Sequence, residues 1–119
     1  MKTDELERWT PQDRIALFRS AEYLGADARN AHRIGLCLDT IMNDLEAYDD
    51  PAQGLRHWLY ENEAPLLKDL AERLHDIVGA HRPIEAGQLS LQHERFASVR
   101  EAASRLAALM KGNGKISYD

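Results

Sequence analysis

The chain has 119 residues, enough to bury one apolar core and short for two. Its 20 acidic side chains outnumber 15 lysines and arginines, and the basic residues lie scattered among acids, which argues against a duplex-binding stripe built from concentrated positive charge. The single cysteine, Cys37, excludes an intrachain disulfide and a multi-thiolate metal site. No run approaches the roughly 18 uninterrupted apolar residues of a membrane span, and the opening Met1-Lys2-Thr3-Asp4-Glu5 is too acidic for a signal peptide, so one cytoplasmic domain is expected.

Residues 1–9, with Leu6 and Trp9, read as a short N-terminal arm. Thr10-Pro11-Gln12-Asp13 then supplies a capping hydroxyl, a proline suited to a first helical turn and an acid that complements the exposed amide dipoles, predicting a first helix that Gly25 stops. Asp27 can cap a second helix, in which Ala31, Ile34, Leu38, Ile41, Leu45 and Tyr48 recur at alternating spacings of three and four, the pattern of one buried stripe. Asp49-Asp50-Pro51 ends it.

Pro51 opens a third helix carrying Leu55, Trp58 and Leu59, with a kink or break near Asn62 to Ala64 imposed by Pro65. Beyond it Leu66, Leu67, Leu70, Leu74, Ile77 and Val78 form a dense stripe that ends at Gly79 to Pro83. Ile84 to Leu89 reads as a loop, Ser90 as a cap, and Phe96, Val99, Ala103, Leu106 and Met110 as the stripe of a fourth helix stopped at Gly112. Residues 113–119 form a loose tail unless Ile116 and Tyr118 dock. The expected fold is all-α, an up-and-down four-helix bundle whose third helix is kinked or broken near Pro65.

Helical bundles can hold metal between inward-facing carboxylates and histidines, so the direction in which each such spacing points decides whether it can serve. Glu72 and His75 form one Glu-x-x-His pair, but at about 100° per residue Glu72 falls opposite the leucine stripe, and no second pair exists. His57 projects away from Leu55, Trp58 and Leu59, taking the His57 and Glu61 spacing with it. Glu46 and Asp49 have no matching pair of glutamates on an earlier helix. Arg29 and His32 stand too close together for the Arg-polar-x-x-x-His motif of the HEPN-type ribonucleases. Gly112-Asn113-Gly114-Lys115 follows a helix instead of leading into one, so it reads as a helix stop and not a phosphate loop. Arg95, Arg100 and Arg105 do not form one narrow basic line on the fourth helix and are interleaved with Glu94 and Glu101, which makes nucleic-acid binding a weak expectation. No cofactor and no catalytic set is expected.

The second helix is unusual on its other side. Opposite its apolar stripe project His32, Leu36, Thr40, Asn43 and Ala47, with Arg29 the one formal charge near that line. Solvated helices of an acidic protein normally carry several charges there, so this side is expected to be covered, by internal packing or by another chain. The expected function is a non-enzymatic protein–protein interaction module, an acidic adaptor, inhibitor, immunity or regulatory protein, meeting a basic protein partner or a second copy through these residues. The alternative is a metal-binding or hydrolytic bundle enzyme using helical Glu, Asp and His.

Overall fold

The spacings of three and four that run through the chain fold as helix. The computed structural model describes residues 11–26, 30–50, 54–55, 58–78 and 95–116, and places four α-helices among them, with no β-strand. They are α1 (Pro11–Gly25), α2 (Ala31–Asp39), α3 (Ala64–Val78) and α4 (Phe96–Asn113). α2 continues as a π-helical turn over Thr40–Asp44.

α1 opens on Pro11 with Asp13 in its first turn, the arrangement that the sequence predicts. It buries a wide arc, Ile15, Leu17, Phe18, Ala21 and Leu24, because it has neighbours on more than one side: α4 and α2 both pack on it. Arg14 reaches Gly114 just past the end of α4, and Gly25 at the other end of α1 abuts Ser104, so α1 and α4 run antiparallel. α3 and α4 are antiparallel for the same kind of reason: Glu63, immediately ahead of α3, meets Asn113, and Arg73 donates to the Ser98 carbonyl. Leu67, Leu70, Leu74 and Ile77 of α3 and Phe96, Val99, Ala103, Leu106 and Met110 of α4 complete one apolar cluster with α1 and the Ile34, Leu38, Ile41 and Leu45 stripe of α2. Each of these residues belongs to a stripe read from periodicity, although Ala31 and Tyr48, the two ends of the expected α2 stripe, are not in the cluster.

The boundaries depart from expectation in physically instructive ways. α2 starts later than an Asp27 cap would place it: Asn30 is the cap, its Oδ1 accepting the Arg33 amide at 3.0 Å, and Asp27 lies outside the described residues. The expected helix through Leu55, Trp58 and Leu59 does not form in the described part of 54–63. There the amides of Trp58 and Leu59 both donate to the Gly54 carbonyl, closing a tight turn around glycine. A Cβ at Gly54 would stand 2.4 Å from the Trp58 ring, so the bare glycine is what lets the indole fold back. Pro65 therefore kinks nothing; it lies in the first turn of α3, where a missing amide proton leaves no hydrogen bond unmade.

At the other end of the chain α4 extends to Asn113. Gly114, at φ 88°, turns out of the helix with its amide on the Met110 carbonyl at 2.9 Å, a conformation glycine adopts without a Cβ penalty. Ile116 then packs on the core. The N-terminal arm, Ser90 and Tyr118 lie outside the described residues.

Candidate functional site

α2 packs its apolar stripe inward, with Ile34 and Ile41 fully shielded, and the residues singled out on its other side separate into two groups. His32, Leu36 and Asn43 are exposed and Thr40 is half-buried, as expected for one outward line. Ala47 is a correction: it is completely buried and belongs to the core. The projection fails there because the helix has already ended. The π-turn widens the spiral after Asp39, Glu46 takes a left-handed φ of 48°, and the Ala47 amide closes onto the Ile41 carbonyl at 3.0 Å, turning the methyl inward. The same departure from helix reverses the expectation for Tyr48, which leaves the buried stripe and is exposed.

Leu36, 53% exposed, is the most open large apolar side chain described. Two of the polar side chains around it are turned back onto the helix. Thr40 Oγ1 donates to the Leu36 carbonyl at 3.1 Å, and Asn43 Nδ2 donates to Asp39 Oδ1 at 2.6 Å. The Arg33 guanidinium lies over the Tyr23 ring, 4.3 Å from its centroid. Covering this strip with another surface would strand few hydrogen-bonding groups, so it would be desolvated at low cost.

Past the end of α2, Tyr48 stacks on His75 of α3 with ring centroids 3.9 Å apart and planes 11° from parallel. An open cleft of about 480 Å3 adjoins Tyr48, bordered by Asp49, Glu72 and Asp76 with Lys68 among them. Glu46, Asp49 and Asp50 are all exposed on the preceding turn.

The other candidates occupy ordinary positions. Glu72 is exposed, and the His75 ring is engaged by Tyr48. Glu61 is exposed, while His57 and Arg29 lie outside the described residues. Among the described residues no three of His, Cys, Asp and Glu gather as a metal ion would require. Cys37 is half-buried on the flank of α2; burial pushes its thiol up, opposed by a side-chain hydrogen bond with Ser20 and by the charge of Arg33. On α4, Arg105 pairs with Glu101 and Arg100 lies over the Phe96 ring, so these cations are engaged within their own helix. No described helix is long and apolar enough to cross a membrane.

One group escaped the sequence reading altogether. Arg14 and Glu63 form an ion pair whose side chains are both fully buried. Arg14 Nη1 and Nη2 donate to Glu63 Oε1 and Oε2 at 2.6 and 2.9 Å, a parallel bidentate pair. The remaining guanidinium protons go to the Trp58 carbonyl at 3.0 Å and, from Nη2 and Nε, to the Gly114 carbonyl at 2.8 and 3.1 Å. Glu63 also accepts from the Tyr60 amide and from Asn113 Nδ2. The ring of Tyr60 lies under the guanidinium, 4.8 Å from its carbon. The one hint in the sequence is that Arg14 stands three and four residues before Leu17 and Phe18, on the buried arc. Periodicity can flag such a charge but cannot name its partner.

Comparison with protein-family models, with curated proteins and with solved structures finds no match to this chain.

Proposed function

We propose that this protein is a non-enzymatic interaction module that engages a protein partner through the outward line of α2, His32, Leu36, Thr40 and Asn43. The observation that carries the reading is the setting of Leu36. A lone exposed leucine is common on protein surfaces. Here it stands among hydroxyl and amide groups already bonded to their own helix, on a chain whose other helices carry charge outward. A net charge of −5 and the exposed carboxylates of Asp44, Glu46, Asp49 and Asp50 at the end of that line favour a basic partner over a second copy of this chain.

The test places a photo-crosslinking amino acid at position 36 and identifies what it captures in the native cell, beside Leu36→Asp and Thr40→Arg variants. The expected result is a discrete basic protein at position 36, lost in both variants while the far-ultraviolet circular dichroism stays unchanged. Crosslinking to a second copy, with a doubled mass in sedimentation equilibrium, would replace the partner with a homodimer. No crosslink in a folded, monomeric protein would end the proposal.

A further inference from the structure

We propose that the 58–63 turn and the segment after α4, residues 114–116, form a single latch held shut by Arg14, so that releasing one releases the other. Neither segment is helical, and they are separated by the whole of α3 and most of the distance to the end of the chain. What they share is one guanidinium. Trp58 and Gly114 each offer Arg14 a backbone carbonyl, at 3.0 Å and at 2.8 and 3.1 Å, and Glu63 takes the two remaining protons. Asn113 Nδ2 ties the two regions a second time, donating to Glu63 Oε2 at 2.8 Å and to Asn62 Oδ1 at 2.9 Å.

All five N–H groups of Arg14 are thereby used, and its side chain is shut off from water. If the tail swings away, two of those protons lose their acceptor at a place where an unpaired charged donor is expensive. The guanidinium then gains by following solvent, which draws it off the Trp58 carbonyl and off Glu63. Glu63 in turn holds the Tyr60 amide at 3.0 Å, so the loss passes into the turn. Coupling of this kind is reciprocal: whatever binds the freed tail loosens the turn, and whatever strains the turn frees the tail. Among the described residues, the side-chain hydrogen bonds along the outward line of α2 stay within α2 and its π-helical continuation, away from this network.

Native-state hydrogen exchange on the full chain tests the latch. Ile116→Asp should undock the tail without touching the ion pair, since Ile116 packs on the core through its apolar side chain. The amides of Trp58, Leu59, Tyr60 and Glu63 should then exchange about ten-fold faster or more, the factor set by one lost hydrogen bond to a charged group. The amide of Ile34 in α2 should keep its rate. Ile116→Ala serves if the aspartate variant fails to fold. In the opposite direction, Gly54→Ala, which strains the turn against Trp58, should speed exchange at the Gly114 amide. Unchanged rates at 58–63 in the tail variants would overturn the proposal, and so would an equal acceleration at Ile34, which would mean that the whole fold opens at once.

Discussion

Arg14 and Glu63, 49 positions apart, meet as a bidentate ion pair from which water is completely excluded. Removing two charges from water costs several kcal/mol each, and the mutual attraction offsets this only when every remaining proton and lone pair is also bonded. The carbonyls of Trp58 and Gly114, the Tyr60 amide and Asn113 meet that condition.

Truncating one partner should therefore be far more damaging than removing both. Arg14→Met and Glu63→Ala are each expected to lower unfolding free energy by about 3–5 kcal/mol, since each strands a buried charge. The pair Arg14→Met with Glu63→Leu should lose less than the sum of the singles. Urea unfolding of the three variants measures this, and strict additivity would contradict the account.

Two glycines in or beside α-helices should respond in opposite senses. A Cβ at Gly25 would lie 2.8 Å from both the backbone nitrogen and Cα of Ser104, so Gly25→Ala forces α1 and α4 apart and should cost about 1–3 kcal/mol. A Cβ at Gly112 meets nothing within 4 Å, and Gly112→Ala should stabilise by about 0.4–1 kcal/mol by restricting the unfolded chain. Thermal melts should move down for the first and up for the second.

Glu46 holds a left-handed backbone at φ 48°, which costs a residue with a Cβ about 1–2 kcal/mol. Glu46→Gly should consequently raise the midpoint of unfolding, although glycine substitution ordinarily lowers it. A fall would show that the carboxylate does more than tolerate its position.

Cys37 should react slowly with iodoacetamide at mildly alkaline pH, and more slowly still in Arg33→Ala, because burial raises its pKa and Arg33 opposes the rise. The sign of the linked stability follows. The folded thiol releases its proton at higher pH than the unfolded one, so its contribution is intact below the ordinary thiol range and is lost as pH climbs through the raised value. Equal alkylation of the native and the urea-unfolded chain would refute this.

The helices themselves were legible in the chain because burial on one side imposes spacings of three and four: Ile34, Leu38, Ile41 and Leu45, or Leu67, Leu70, Leu74 and Ile77, name their own inward faces. The outward positions of His32, Leu36 and Asn43 followed from the same arithmetic, which holds for as long as the helix does. Ala47 and Tyr48 exchanged places because the π-turn and the left-handed Glu46 intervene, and neither leaves a periodic trace. The turn that Gly54 builds around Trp58, the first-turn place of Pro65 and the union of Arg14 with Glu63 depend on groups far apart in the chain. Local spacing fixes which way a side chain faces; what it meets there is decided only when the helices pack, since desolvation and hydrogen bonding act across space and carry no record of sequence distance.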